Sequence, residues 1–214
     1  MNQSFSEQEI ATVYRAISSR RDVRSGFLSK GIETDKLKRV LGAAHAAPSV
    51  GFLQPWNFVV IDSIEVKSAV KEAFLEVSEA ESNLFEGASK DKYDSLKLEG
   101  IMEAPLNICI TCDRERNPQN VLGRSVQSDM DLYSTVCAVQ NLWLAARVEG
   151  LGLGWVSILK KETIREILHL PETVEPVAYL CLGYVDEFYE KPELEIKGWQ
   201  ERLELDDLIK YNQW

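Results

Sequence analysis

The feature that most constrains the fold is a helical stretch from about Asp131 to Glu149 that is apolar nearly all round. A helix without a polar face has to be covered on every side, so this stretch predicts a buried helix at the centre of the core. Its apolar tract, Thr135 to Ala146, contains Gln140 and Asn141. That tract is also shorter than the roughly 20 residues of a membrane span. The pattern therefore favours a soluble globular protein.

Shorter patterns predict helices and strands around this central helix. Apolar residues at helical spacing predict helices from Ser6 to about Ser18, from a Thr34 N-cap to before Pro48, from a Ser63 cap onward, and over Lys161–Leu168. Short apolar runs predict strands over Phe58–Ile61, around Cys109, over Gly154–Ile158 and over Val177–Leu182. Helices flanking a few strands, without regular strand-helix alternation, predict an α+β layer fold.

We find no linker or repeat that would divide the sequence, so we predict a single domain over residues 1–214. Residues 78–100 are polar, mixed in sign and weakly periodic, which predicts a mobile helical flap. Residues 186–214 are charged and show no period of their own. A segment of that kind predicts an arm that needs another surface to lie on.

The charge and the cysteines restrict the partners and the compartment. The net charge of −10 would repel a phosphate backbone or an anionic lipid surface, so we predict neither a nucleic-acid nor a membrane partner. No secretory signal is visible at the start, and four cysteines in apolar surroundings fit a reducing compartment, so we predict a cytoplasmic protein.

Cys109 and Cys112 form a CxxC pattern, which is typical of redox pairs and of zinc sites. Here the pattern lies in a predicted strand, where a spacing of three sends the two sulfurs to opposite faces. Core packing is therefore the favoured interpretation. The only two histidines, His45 and His169, have no second ligand at a metal-binding spacing, and we predict no metal site.

Three arginines stand within five residues at Arg20-Arg21-Asp22-Val23-Arg24, although the chain is acidic. Guanidinium groups bind phosphate oxygens in a forked, charge-assisted geometry, which predicts a phosphorylated small ligand. A solvated basic loop is the alternative, and composition alone does not separate the two.

A second candidate segment is the loop from Ala47 to Asn57, which mixes Pro48, Ser49, amide side chains and Trp56. Such a mixture suits the edge of a planar heteroaromatic ligand that presents several donors and acceptors. A loop held down by Trp56 is the alternative. The glycines at 150, 152 and 154 do not form a dinucleotide fingerprint, because they follow a helix and precede a strand.

Together these two segments, roughly 25 residues apart, resemble the nitroreductase family, in which an Arg-Arg-x-x-Arg turn holds the phosphate and ribityl chain of FMN. Residues 152–158, Gly-Leu-Gly-Trp-Val-Ser-Ile, resemble the third flavin segment of that family. The resemblance covers essentially the whole chain. It implies a nitroreductase-like FMN-binding fold with a mostly antiparallel sheet flanked by helices. It also implies a homodimer with FMN between the subunits and the C-terminal arm, residues 186–214, packed on the partner.

The resemblance is closer to one branch of the family, the 5,6-dimethylbenzimidazole synthases, through residues 20–24, 47–52, 95–101, 131–134 and 154–157. It implies that reduced FMN is a substrate, which O2 fragments to 5,6-dimethylbenzimidazole, the lower ligand of cobalamin, and D-erythrose 4-phosphate. It also implies a separate NAD(P)H-dependent flavin reductase as a partner. Ordinary nitroreductases commonly have a small polar residue in place of Asp22 and an asparagine in place of Phe52.

In this branch the resemblance implies that Asp22 and Ser157 are catalytic. Asp22 would be a general base or acid, and its arginine neighbours favour the charged form unless burial dominates. Ser157 would orient the flavin, whereas without the resemblance it would be interpreted as a strand serine satisfied within the sheet. The expected FMN contacts are Arg20, Arg21, Asp22, Arg24, Pro48, Ser49, Asn57, Leu96, Gly154, Trp155, Ser157 and Arg202.

Two other functions remain compatible with a flavin site. One is a conventional NAD(P)H-dependent FMN nitroreductase or flavin reductase, and the other is a flavin-binding or storage protein without catalysis. The acid at position 22 and Phe52 favour the synthase over the nitroreductase. An acid beside the flavin ring would have no obvious use in a storage protein.

Overall fold

Four strands and eight helices make up the chain in the computed structural model, which describes residues 4–117 and 121–214. The strands are β1 (Trp56–Ile61), β2 (Leu106–Asp113), β3 (Gly152–Val156) and β4 (Val174–Gly183). The helices are α1 (Glu7–Ser19), α2 (Thr34–His45), α3 (Ile64–Ser82), α4 (Gly87–Asp94), α5 (Met130–Val148), α6 (Lys161–Ile167), α7 (Glu193–Ile196) and α8 (Leu205–Leu208). A short 3-10 turn, Val50–Phe52, precedes β1.

The sheet has the order β1-β2-β4-β3, and every neighbouring pair is antiparallel. Side chains alternate between its faces. Ile108 and Ile110 of β2 join a core with Leu142 of α5, whereas Cys109 joins a second core with Phe74 of α3. Helices therefore cover both faces, and the prediction of an α+β fold with a mostly antiparallel sheet is confirmed.

The CxxC pattern lies in β2, as the sequence predicted. Cys109 is buried in the core on the α3 side, and burial raises the pKa of its thiol to about 12. The Cys112 thiol instead contacts Thr135 of α5, on the opposite face. Both cysteines are free and buried, which supports core packing over a redox pair.

Helix α5 is central to the fold, but only one side of it is covered. Thr135, Leu142 and Ala146 are fully buried, whereas Tyr133 is 57% exposed and Val136 41% exposed. The prediction of a helix buried all round is therefore wrong for the chain taken alone, because no element within residues 4–117 and 121–214 covers the outer face. Among the described residues, no helix is long and apolar enough to cross a bilayer.

Helix α1 begins with a capping box at Ser6, where the sequence predicted the start of a helix. The Ser6 hydroxyl accepts a hydrogen bond from the Glu9 amide at 3.3 Å, and the Glu9 carboxylate accepts one from the Ser6 amide at 2.7 Å. The helix has an apolar side, but no residue of it is buried. Ile10, Val13 and Ile17 are all exposed to solvent. This apolar side is thus left uncovered within one chain.

Several sequence-based boundaries are wrong, since β1 begins at Trp56 rather than Phe58 and β4 at Val174 rather than Val177. The N-cap of α2 is Glu33 rather than Thr34, and no side chain caps the helix. Strand β3 begins at Gly152 and ends at Val156, two residues earlier than predicted. Gly152 and Gly154 pair with β4 and so belong to the strand. Another segment lies so close to the strand at these two positions that a side chain would not fit. Glycines of this kind weaken a strand pattern that is read from side chains alone.

The segments predicted as a flap and an arm are both packed on their own chain in part. Residues 78–82 are the last turn of α3, and α4 forms the middle of the flap. Within the arm, the Phe188 ring lies under the Arg147 guanidinium at 3.9 Å. Residues 201–214, by contrast, are exposed throughout. This last part belongs to the longest uninterrupted exposed run of the arm.

Candidate active site

The arginine turn, residues 20–24, runs along the free edge of β3. The Val23 amide donates to the Leu153 carbonyl at 3.0 Å, and Asp22 forms a parallel bridge with Leu153. A Cβ atom on Gly154 would lie 2.0 Å from the Val23 carbonyl oxygen, so only glycine permits this approach. The turn is thereby fixed to the sheet by backbone contacts.

Asp22 is held in a single orientation by both of its carboxylate oxygens. Oδ1 accepts a hydrogen bond from the Trp155 amide at 2.9 Å. Oδ2 accepts from Nε of Arg24 at 3.0 Å and from its Nη2 at 2.7 Å. The side chain remains 28% exposed. An oriented, partly accessible carboxylate paired with a guanidinium is suited to exchange a proton with a bound ligand.

Arg24 has one donor left over. Its Nε and Nη2 are used by Asp22, but its Nη1 is buried and has no hydrogen-bond partner among the residues that the structure describes. An unsatisfied buried donor of this kind costs about 1–3 kcal/mol, more when the group is charged. Such an atom indicates an acceptor supplied from outside the chain, and the oxygens and ring nitrogens of a flavin are acceptors of that kind.

Arg20 lies in an electropositive position beside the turn. Its guanidinium stacks over the Trp143 ring at 4.6 Å. Burial lowers the pKa of Arg20, the carboxylate of Asp22 opposes this shift, and the positive charges of Arg21 and Arg202 add to it. A partly buried guanidinium with further positive charge near it marks a position where an anion would be stabilised. Arg20 and Arg202, far apart in sequence, therefore form a candidate phosphate site.

Arg21 has different contacts from its two neighbours. Its guanidinium donates to the backbone carbonyls of Ser18 at 2.8 Å, Arg20 at 2.6 Å and Tyr189 at 2.9 Å, and also to that of Glu190. These bonds fasten the arm to the end of α1. A phosphate contact from Arg21, which the sequence predicted, would have to compete with them.

Ser157 is the residue after β3 ends, and its side chain is exposed. It is therefore not a strand serine satisfied within the sheet. It lies at a cavity of about 190 Å³ whose lining includes Tyr179 and Ile164. Ser157 follows Trp155 by two residues, which spans about 7 Å of extended chain. The strand that orients Asp22 through the Trp155 amide thus also presents Ser157.

The loop from Pro48 to Asn57 is bound to other elements. The Ser49 hydroxyl accepts from the Gln54 amide at 3.0 Å, and the Val50 amide donates to the Ser134 hydroxyl of α5 at 3.0 Å. The Asn57 oxygen accepts from Arg116 at 2.5 Å. Sequence reasoning missed Arg116 because no local pattern marks it.

One chain does not bring this loop to the arginine turn. The turn lies beside β3 and Asn57 lies in β1, at opposite edges of the sheet. Four strand spacings separate the turn, which lies outside β3, from β1, and this is roughly 19 Å. Along α5, the loop contacts Ser134, whereas the turn contacts Trp143 nine residues later, or about 14 Å further along the axis. The predicted contacts therefore form two separate groups within one subunit.

Leu96 belongs to the flap and lines a cavity of about 500 Å³ between the flap and α3. The base of the flap is held by Glu99, whose carboxylate accepts from Lys71 and from the Ile101 amide, both at 2.6 Å. Burial raises the pKa of Glu99, but the bonds from Lys71 and Ile101 and the charge of Lys97 outweigh it, and the net shift is downward. Sequence reasoning missed this anchor, because Lys71 and Glu99 lie 28 residues apart in the sequence.

Comparisons with known proteins identify the family of this chain. The family model described as the Nitroreductase family matches residues 17–184. A 5,6-dimethylbenzimidazole synthase of Rhodospirillum rubrum is 41% identical over 183 residues, which cover 86% of each chain. One of Rhodobacter capsulatus is 35% identical over 184 residues, covering 86% of this chain and 88% of the other.

Among solved structures, iodotyrosine deiodinase bound to FMN and 3-iodo-L-tyrosine superposes with a TM-score of 0.75. It is 20% identical and the match covers 94% of this chain and 100% of that one, so the likeness concerns the fold. Within residues 4–117 and 121–214, no three His, Cys, Asp or Glu side chains form a group that could hold a metal ion. The family model matches most of this chain, and two relatives are more than 30% identical to it, so this chain belongs to the nitroreductase family.

Proposed function

We propose that this chain is a 5,6-dimethylbenzimidazole synthase that uses O2 to fragment reduced FMN into 5,6-dimethylbenzimidazole and D-erythrose 4-phosphate. The observation that carries the proposal is the oriented carboxylate of Asp22, held by the Trp155 amide and Arg24 at the edge of β3. The two synthases that are 41% and 35% identical to this chain support it. The product would serve as the lower ligand of cobalamin.

The residues of the site fit FMN. Arg20 and Arg202 provide the positive position for the phosphate, and the free Nη1 of Arg24 provides a donor for an acceptor of the ligand. Gly154 and Trp155 lie along the same strand edge and would border the flavin ring. Reduced FMN, when bound, supplies the electrons for the reaction with O2.

The side chains divide the work in the following way. With FMN bound, Asp22 would accept or return a proton at its carboxylate, and its bonds to Trp155 and Arg24 fix the direction of that carboxylate. Ser157, exposed at the end of β3, donates a hydrogen bond that orients the flavin. Leu96 and the flap exclude water from the ring.

The site is completed in a homodimer. Helix α1 has 13 residues and buries none of them, and a helix of that length is marginal in water without a packed face. The outer face of α5 is equally uncovered. Packing a second copy on these faces would let Pro48, Ser49 and Asn57 of one subunit complete the FMN site at the arginine turn of the other. Residues 203–214 would then lie on the partner, while Arg202 would stay near Arg20 of its own chain.

Reduced FMN reaches this cytoplasmic enzyme from a separate NAD(P)H-dependent flavin reductase. The net charge of −10 disfavours nucleic acid and anionic lipid as further partners. Arg21 fastens the arm rather than contacting the phosphate directly, because its donors are bound to backbone carbonyls.

One assay tests the proposal. Purified protein is mixed with FMN, an added flavin reductase, NADH and air, and dimethylbenzimidazole is followed by chromatography. The synthase predicts product only when both the protein and O2 are present. Rapid NAD(P)H oxidation by the protein alone, with the flavin left intact, would select the alternative of a nitroreductase or flavin reductase. Flavin that is bound but unchanged under both conditions would leave a storage protein.

A further inference from the structure

An aromatic cluster joins the C-terminal arm to the flap of the same chain. The Phe85 and Tyr93 rings stack with their centroids 5.0 Å apart. The Trp199 ring meets Phe85 edge-on at 5.7 Å and Tyr93 at 6.3 Å. Beside the cluster, Lys92 donates to the carbonyl oxygen of Gly198. These ring contacts and the hydrogen bond join the flap to the arm, so a displacement of the flap is expected to displace the arm as well.

The same arm is bound to the arginine turn at its other end. Arg21 donates to the carbonyl of Tyr189 at 2.9 Å and to that of Glu190. Arg202 follows Trp199 by three residues, and its positive charge acts on Arg20. Trp199 therefore lies on a short piece of chain that joins the candidate phosphate site to the flap.

We propose that Trp199 is a positioning residue that couples occupancy of the phosphate site to the position of the flap. An anionic phosphate between Arg20 and Arg202 neutralises their mutual repulsion and fixes this part of the arm. The indole ring of Trp199 then fixes Phe85 and Tyr93, and the flap with them. The coupling rests on the proposed function, because it takes FMN as the ligand.

The contribution of the phosphate can be separated from that of the flavin ring. Riboflavin has the same ring and ribityl chain as FMN but no phosphate. It can occupy the ring position beside Gly154 and Trp155 but cannot fix the arm through Arg20 and Arg202. FMN is therefore expected to protect the flap, residues 84–96, from hydrogen exchange, whereas riboflavin at equal occupancy is expected to leave it closer to the ligand-free rate.

The experiment is amide hydrogen exchange on the full chain, read by mass spectrometry, with no ligand, with FMN and with riboflavin. The variants are Trp199→Leu, Trp199→Phe as the conservative replacement, and Trp214→Leu as a matched control, since Trp214 lies in the same arm and is fully exposed. Losing two aromatic contacts is expected to speed exchange of residues 84–96 about five- to tenfold without ligand. Phenylalanine should restore most of the protection, and Trp214→Leu should change nothing in the flap.

With FMN bound, Trp199→Leu is expected to keep protection of residues 20–24 but to lose the added protection of the flap. If Trp199→Leu exchanges at 84–96 as slowly as the unsubstituted chain, with or without FMN, the positioning role is overturned. If FMN protects residues 84–96 no more than riboflavin does, the coupling to phosphate is overturned. Failure of FMN to protect residues 20–24 in the unsubstituted chain would overturn the proposed flavin site, and the coupling with it.

Discussion

The Asp22 carboxylate accepts a hydrogen bond of 2.9 Å from the backbone amide of Trp155, which joins an acid in the arginine turn to the strand that ends one residue before Ser157. The other oxygen of Asp22 is paired with Arg24 at 2.7 Å. The carboxylate is thus oriented by one neutral and one charged donor. This arrangement makes the two proposed catalytic residues parts of one rigid unit.

Asp22→Asn is expected to abolish product formation while leaving FMN bound. The amide oxygen can still accept from the Trp155 N–H, and the Val23 amide still donates to the Leu153 carbonyl, so the turn stays on β3 although the pairing with Arg24 is lost. The amide cannot take up a proton at neutral pH. Loss of a general base lowers the rate about 100-fold or more. Dimethylbenzimidazole yield and FMN affinity, measured side by side, check this. Product at the unsubstituted rate would remove Asp22 from the chemistry.

Ser157→Gly is expected to lower the yield of dimethylbenzimidazole without lowering the melting temperature appreciably. Ser157 is exposed just after β3, and substitutions at such positions usually change stability by less than about 0.5 kcal/mol. Ser157→Ala is the matched variant, because it removes the hydroxyl and keeps the Cβ atom. Both variants should lose activity alike. Full activity in Ser157→Ala would show that the hydroxyl is not used.

Gly154→Ala is expected to displace the arginine turn. The added Cβ atom would lie 2.0 Å from the Val23 carbonyl oxygen, which is backbone and cannot rotate away. Such overpacking costs about 1–3 kcal/mol, and FMN affinity should fall with it. Gly42→Ala is the control, since nothing lies within 4 Å of its added Cβ atom and alanine favours the α2 helix by up to about 1 kcal/mol. Thermal melts of both variants measure the change in stability, and flavin titrations measure the change in FMN affinity.

The central helix, the strands and the arginine turn could be predicted from the sequence alone, because a local residue pattern marks each of them. The separate faces of Cys109 and Cys112 follow from strand geometry and were also predicted. The early start of β3 was missed, since glycines that permit a close approach leave no side-chain pattern. The carbonyl contacts of Arg21 join residues 168 positions apart, and no local pattern can indicate a bond of that kind.

The anchor at the base of the flap is expected to weaken in acid. The folded chain holds the pKa of Glu99 below its ordinary value of 4.5, because Lys71 and the Ile101 amide bind the carboxylate. A lowered folded pKa stabilises the fold fully above pH 4.5, and this contribution is lost as the pH falls through the folded pKa. The difference in melting temperature between the unsubstituted chain and Glu99→Gln should therefore narrow below pH 4.5.

Glu103→Gln is the matched control for this measurement. Glu103 also binds Lys97, at 2.6 Å, but its side chain is 43% exposed, and exposed ion pairs contribute about 0–1 kcal/mol. The difference in melting temperature between Glu103→Gln and the unsubstituted chain should therefore be small at every pH. A Glu99→Gln difference that stays constant from pH 7 to pH 3 would contradict the assignment of the anchor to the ionised carboxylate.

The uncovered outer face of α5 predicts how the chain assembles. We expect light scattering to give twice the chain mass of 24.2 kDa. Val136→Asp is expected to give a monomer, because burying an unpaired carboxylate in an apolar interface costs more free energy than the interface gains. Val60→Asp is the control, since Val60 in β1 is exposed to nearly the same extent, 42% against 41%. The monomer should also bind FMN more weakly, because Pro48 and Ser49 of the partner would be missing from its site. A Val136→Asp monomer with unchanged FMN affinity would show that one chain holds the whole flavin site.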